Sequence, residues 1–387
     1  MDRSRFELRK FVAPEFIIGE KARLLAGRYA KNLGARHAMV VTGPHVEKAG
    51  WVEGVVKSLG EEGIGHTVFD GVSPNPRDSE VMNGAKIFAE DGCDSIVVVG
   101  GGSPIDCAKG IGIVFSNNRH ILTFEGVDNI PIPPPPLICI PTTAGTGADV
   151  SQFAIISDTG RKVKIAIISK KIVPDIALVD PEPLLTLSKE LTAHTGMDAL
   201  THSVEAYVSN ASSPVTDMYA LESIQIVNTY LPRAVEELKK LEWRYQTMLG
   251  SLFAGLAFSN ASLGAVHAMA HSLGGLSDLP HGECNALLLE YVMEFNYPSC
   301  PGRYETIGRA LGVETEGLDH EARRTRILGA VATMRESLGI TVRLSDLGVS
   351  RSDIPALART AILDPCLATN PRKASVEEIE RMYLNAF

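Results

Sequence analysis

"SIVVVGGGSPIDCAKG", residues 95–110, runs a β-branched segment directly into three glycines and then into a helix-forming stretch. The apolar run reads as a buried strand. The glycines let the chain turn sharply and let a ligand approach with no Cβ in its way. Ser103 stands where an N-cap belongs, Pro104 at the first helical position and Asp106 three residues after the cap, which places a helix N-terminus over the loop. Its free N–H groups and positive dipole end suit an anionic diphosphate; a well-capped turn with no ligand is the plainer alternative. The segment is not G-x-G-x-x-G, so by itself it specifies little. "PTTAGTG", residues 141–147, again follows a strand-like run, and two such loops at strand ends point to a cofactor crevice.

Working outward, β-branched runs alternate with helical stretches from residue 37: "HAMVVTG", a helix through "VEKAGWVEGVVKSLG", "HTVFDGV", and a helix near "DSEVMNGAKIFAED". That alternation predicts a parallel sheet with crossover helices. "LICIP" at 137–141, "FAIIS" at 153–157, "KIAII" at 164–168 and "DIALVD" at 175–180 are further strand candidates. The prolines of "PIPPPPL", 131–137, read as an extended connector into "LICIP". After Asp180 strand signals stop. "DMYALESIQIVNTYL", "RYQTMLGSLFAGLAF" and "ASVEEIERMYLNAF" instead repeat apolar residues at helical spacing. The reading is an α/β dinucleotide-binding domain over 1–182, Rossmann-like, followed by an all-α domain over 183–387.

With 387 residues, 45% of them hydrophobic, the chain is long enough for two domains. Its 46 acidic and 37 basic residues give a formal charge of -9, and no basic run interleaves with aromatics, which argues against nucleic acid and membrane as partners. The opening "MDRSRFELRK" has no secretory or anchor pattern, so a cytoplasmic location is expected. Six scattered cysteines with no CxxC pair read as reduced thiols.

The helical half carries the second kind of chemistry. In "TGMDALTHSVEAY", residues 195–207, Asp198 and His202 are four apart and share a helix face. Alternatively, Asp198 completes a capping box with Thr195 and His202 packs in a core. "GAVHAMAHSLGG", residues 264–275, places His267 and His271 one turn apart, and "LPHGE" adds His281. One carboxylate and up to three imidazoles form a mixed oxygen and nitrogen set suited to Fe(II), Zn(II) or another divalent first-row ion. Spacing alone does not choose four ligands from these five.

The chain resembles the iron-containing (group III) alcohol dehydrogenases through "GGGSPIDCAKG", "PTTAGTGADVS", "TGMDALTHSVEAYVS", "GAVHAMAHSLGGLSDLPHGECNALLLEYVMEFN" and "DPCLATNPRKAS". The resemblance implies a dinucleotide-binding domain, a helical domain, and a catalytic metal in the cleft between them. It assigns the metal to Asp198, His202, His267 and His281, with His271 beside the site helping to move the proton. It assigns the cofactor to Asn75, Gly101, Gly102, Ser103, Asp106, Thr142, Thr143 and Lys164. Without it, Lys164 is a solvated lysine on a strand and Asn75 a turn former. Phe153, Phe258 and Cys366 are implied at the substrate, although such residues also serve as plain core. The resemblance implies Fe(II) as the metal, with Zn(II) the alternative, and a homo-oligomer, most simply a homodimer.

Two positions depart from the family pattern. Gly43 follows the first strand where many NAD-preferring members carry an Asp for the ribose hydroxyl, which opens the chain to NADP as well as NAD. Glu290 in "LLLEYV" replaces a usual proline and is expected to alter local packing without abolishing chemistry. The implied reaction is reversible hydride transfer between a small primary alcohol or aldehyde and the nicotinamide, with a cation that lowers the pKa of a bound hydroxyl as it lowers that of water, from about 16 to roughly 7 in favourable zinc sites. The rivals are a polyol enzyme of the glycerol-dehydrogenase or dehydroquinate-synthase kind and a non-catalytic nucleotide-binding scaffold. The absence of Lys and Arg from 195–210 and 258–285 argues against a phosphorylated substrate.

Overall fold

The computed structural model describes residues 8–387; the first seven residues of the charged opening lie outside the described residues. The chain forms two compact units. One comprises residues 13–187 with 238–248; the other comprises the described residues up to Val12 together with 188–237 and 249–387.

The first unit contains β1 (Glu15–Ile18), β2 (His37–Thr42), β3 (Gly65–Phe69), β4 (Ser95–Gly100), β5 (Gly126–Val127), β6 (Leu137–Pro141), β7 (Phe153–Asp158), β8 (Val163–Ile168) and β9 (Ile176–Val179). Six of them form a parallel sheet in the order β1-β9-β6-β4-β2-β3. β4, β6 and β9 are buried along their whole length, which is why they read as continuous apolar runs rather than alternating ones. The period of two instead sorts their residues between two cores. Met39, Val41, Ile96 and Val98 meet helices Asp78–Glu90 and Gly102–Asn117 on one face. Ala38, Val40, Val97 and Val99 meet Ala26–Asn32 and Trp51–Glu61 on the other. The helices that follow the neighbouring strands β2 and β4 therefore leave to opposite faces, which makes a topological switch point at the ends of those strands.

Three sequence expectations need correction here. β7 and β8 do not extend the parallel sheet; they pair antiparallel and, with β5, form a separate three-stranded sheet. The helix through "VEKAGWVEGVVKSLG" breaks into Pro44–Lys48 and Trp51–Glu61, because Gly50 adopts φ 83° between them. Ser103 is not an N-cap: helix Gly102–Asn117 starts two residues earlier than that reading places it, with Gly101 as its cap and no side-chain cap bond.

Among its described residues the second unit contains helices and no strand. Helix Lys189–Val208, capped by Ser188 through Leu191 N–H at 3.1 Å, is buried without interruption from Thr195 to Val208. A helix buried all round belongs in the middle of a bundle, and it is this one that carries Asp198 and His202. Thr195 lies well inside it and donates to the Leu191 carbonyl, so the capping-box alternative for Asp198 falls. Glu290 sits within helix His281–Asn296 and forms an ion pair with Arg335 at 3.3 Å, tying that helix to His320–Ser337 where a proline would have contributed no charge. All six cysteines are free thiols. No single helix among the described residues is long and apolar enough to cross a membrane.

Candidate metal and cofactor sites

Three helices of the second unit bring the polar set together. Asp198 and His202 face the same way on Lys189–Val208, His267 lies in the first turn of Ala265–Ser277, and His281 opens His281–Asn296. Gly282 permits the last of these approaches: a Cβ there would stand 2.5 Å from the backbone oxygen of His194 and 3.5 Å from the Asp198 Cβ. Any other residue would hold the start of that helix away from Asp198.

The Nε2 atoms of His202 and His267 each lie 3.8 Å from Asp198 Oδ1, and that of His281 lies 3.9 Å from it. One ligand atom from each of the four residues falls within 4.8 Å of the others. The His202 ring stacks between those of His267 and Phe258, at centroid distances of 4.6 and 4.3 Å. Asp198, His202 and His267 are buried, whereas the His281 side chain is 27% exposed, so it is the member that meets solvent. Burial, with the neighbouring His202, pushes the His267 imidazole well below its ordinary pKa, into the neutral form whose lone pair binds metal.

The donor set fits a cation. Asn285 Nδ2 alone sits 2.6 Å from Asp198 Oδ1 and 3.1 Å from Nε2 of both His267 and His281, so three acceptors point at one small volume. Its own Oδ1 is buried with no partner among the described residues. Acceptors gathered so closely repel one another unless positive charge stands between them.

His271, one turn beyond His267, stands apart from the four. Its Nδ1 lies 2.8 Å from Asp364 Oδ2, and its ring stacks on that of His281 at 5.3 Å. Asp364 accepts the Cys366 N–H through its other oxygen at 2.8 Å. Burial raises the Asp364 pKa, but the His271 imidazole and the hydrogen bonds from Cys366 together outweigh burial and hold the carboxyl below its ordinary value. Cys366 is fully buried next to this pair, and burial pushes its thiol well up, so it packs as a neutral group. Phe258 and Cys366 thus lie against the polar cluster, while Phe153 begins β7 in the other unit.

The cofactor candidates all lie in the first unit. Asn75, at φ 58°, donates its N–H to Ser103 Oγ at 3.3 Å and accepts from Lys164 Nζ at 2.7 Å, so the three meet beside the glycine loop. Asp106 faces β7 and accepts the Ile155 N–H at 3.2 Å. Thr142 continues the strand pattern by donating its N–H to the Gly100 carbonyl at 3.0 Å. Gly101 packs against the next loop so closely that a Cβ on it would lie 3.0 Å from Thr143 Oγ1. That hydroxyl oxygen is buried and has no partner among the described residues. A bare glycine backbone at a helix N-terminus beside an unsatisfied hydroxyl fits a phosphate oxygen.

The pattern of the iron-containing alcohol dehydrogenases matches residues 13–181, and that of the Fe-containing alcohol dehydrogenase family, C-terminal, matches 192–387. The chain belongs to the iron-containing alcohol dehydrogenase family. It is 41% identical over 371 residues to a 1,3-propanediol dehydrogenase of Citrobacter freundii, covering 95% of this chain and 96% of that one. It is 38% identical over 376 residues to an NAD-dependent methanol dehydrogenase of Bacillus methanolicus, covering 97% and 99%. The crystal structure of a 1,3-propanediol oxidoreductase superimposes with a TM-score of 0.95 at 38% identity, covering 98% of this chain and all of that one. As an iron-containing alcohol dehydrogenase the protein is an oxidoreductase acting on CH–OH groups, interconverting alcohols and aldehydes with a nicotinamide cofactor.

Sequence reasoning passed over three residues that touch the site. Glu205 and Asn285 contact the set of four through His267 and Asp198, and Asp364 holds His271. Their spacing was visible, since Glu205 follows His202 by three and Asn285 follows His281 by four, both within one helical turn.

Proposed function

We propose that Asp198, His202, His267 and His281 hold the divalent cation of a dehydrogenase acting on small primary alcohols and aldehydes. The convergence of these four groups, three of them buried, carries the reading. When bound, the metal supplies Lewis-acid chemistry, polarising the substrate oxygen and favouring loss of the alcohol proton. Fe(II) is the ion this reading assigns, and Zn(II) meets the same donor set.

His271 carries the proton. With Nδ1–H donated to Asp364, its Nε2 is left as the acceptor, and the exposed edge of His281 stacked beside it lies on the side that reaches solvent. Phe258 and the neutral Cys366 thiol keep water and charge away from the cluster, which favours a small apolar substrate. Phe153 is assigned to substrate contact by the family pattern alone.

For the cofactor, Gly101, Gly102 and Ser103 with Thr142 and Thr143 hold the diphosphate, and Asn75, Asp106 and Lys164 frame that loop. Gly43 brings no carboxylate to the end of β2, so the site accepts NADP(H) as well as NAD(H). The name of the Bacillus methanolicus relative supports NAD use. We assign the protein to the cytoplasm as a homodimer.

The test is turnover followed by nicotinamide absorbance with a panel of small alcohols and aldehydes, before chelation, after chelation, and after reloading with Fe(II) or Zn(II). Activity lost on chelation and regained with one ion supports the assignment; turnover that survives complete metal removal refutes it.

A further inference from the structure

Glu205 lies three residues beyond His202 on helix Lys189–Val208, inside the unit, yet it is outside the set of four. Its Oε2 is 2.6 Å from His267 Nδ1 and its Oε1 accepts the Val266 N–H at 2.7 Å. The side chain is only 3% exposed. Gly264 gives it room: a Cβ there would stand 2.9 Å from Glu205 Oε1. The other imidazole nitrogen of His267, Nε2, is the one that faces Asp198. A carboxylate on Nδ1 requires that nitrogen to be the protonated one, which leaves the Nε2 lone pair free.

We propose that Glu205 is a positioning residue for the metal centre: by accepting the Nδ1–H of His267 it selects the tautomer and fixes the ring so that Nε2 is offered to the cation. The inference rests on the four-residue metal reading above. A carboxylate is required because two donors converge on it, the imidazole N–H and the Val266 N–H. Glutamine supplies one acceptor oxygen, and its NH2 group would confront one of the two donors. Partners of this kind raise ligand basicity and orient the ring, and their loss typically costs about ten- to a hundred-fold in metal affinity.

The experiment compares wild type with Glu205→Gln and Glu205→Asp, the metal being removed by chelation beforehand. Zn(II) affinity is measured by competition with a chromogenic chelator, the visible spectrum is taken after loading Co(II), and folding is checked by circular dichroism. Glu205→Gln should bind Zn(II) about ten- to a hundred-fold more weakly, with an altered Co(II) spectrum and native helix content. Glu205→Asp, which keeps two acceptor oxygens on a shorter arm, should fall between them and decides the matter if the glutamine variant does not fold. Folded variants with wild-type Zn(II) affinity and an unchanged Co(II) spectrum overturn the positioning role while leaving the metal reading intact. A wild-type protein that binds neither ion overturns both.

Discussion

Gly282 faces the backbone oxygen of His194 across two helices, so closely that a Cβ at Gly282 would lie 2.5 Å from that oxygen. A backbone atom does not swing aside as a side-chain tip does, so the helices must part. Gly282→Ala should cost about 1–3 kcal/mol of stability. Because the displaced residue adjoins His281, the larger effect falls on the metal. Titration with Zn(II) should show weaker binding than wild type, with the transition in urea moved to lower concentration. Unchanged affinity would mean that His281 is not held by this contact.

His271 and Asp364 form a pair that touches the cluster without belonging to the four. His271→Ala should retain full metal content and lose about 10²- to 10⁴-fold in kcat, the usual range for a lost general acid–base group. Asp364→Asn, which weakens the orientation of the ring, should lose less. Metal analysis beside steady-state kinetics separates the possibilities, since a variant that sheds its metal places His271 among the ligands.

Much of this site was legible because its chemistry rides on regular helices. Asp198 and His202 at a spacing of four, and His267 four before His271, announce shared faces before any coordinates exist. The choice between His271 and His281 was not legible from spacing: it depends on Asp364, ninety-three residues away, capturing the His271 ring. The parallel sheet was legible from continuous runs such as "SIVVV", since strands buried on both faces need no polar alternation. β1 was missed because "EFII" is only four residues long, and it pairs with the last strand, β9. The assignment of β7 and β8 to their own sheet was also hidden, because an apolar run states that a strand is buried but not which neighbour it pairs with. Ser103 misled because a serine before a proline fits an N-cap, whereas the chain turns two residues earlier at Gly101.

Lys109 is completely buried, and its ammonium donates to three backbone carbonyls, those of Ala148, Ser151 and Phe153, at 2.6, 2.9 and 2.8 Å. It pins the segment that follows "PTTAGTG" to the helix that starts at the glycine loop. Lys109→Met preserves much of the volume but leaves those carbonyls without their donor, each unsatisfied group costing about 1–3 kcal/mol. The expected result is a melting temperature lower by several degrees and weaker nicotinamide nucleotide binding, with Zn(II) affinity in the other unit unmoved. Calorimetry and fluorescence titration with NADH read the first two. Full nucleotide affinity in a folded variant would show that the clamp does not serve the cofactor loops.

Asp149, in that same segment, is buried, and burial raises its pKa from the ordinary 3.8 to about 6 even though Lys109 pulls in the opposite direction. The native fold therefore holds the proton more tightly than the unfolded chain. Stability from this group is fully present below pH 3.8 and is lost as pH rises through about 6. The loss is on the order of 3 kcal/mol at neutral pH for a shift of about two units. Asp149→Asn keeps the shape and removes the titration, so the variant should match wild type near pH 4 and unfold at higher urea concentration near pH 7. Other carboxylates also titrate in this window, but they are common to both proteins and cancel in the difference. A difference between variant and wild type that stays constant from pH 4 to 7 would show that Asp149 is ionised throughout, with Lys109 as its effective counter-charge.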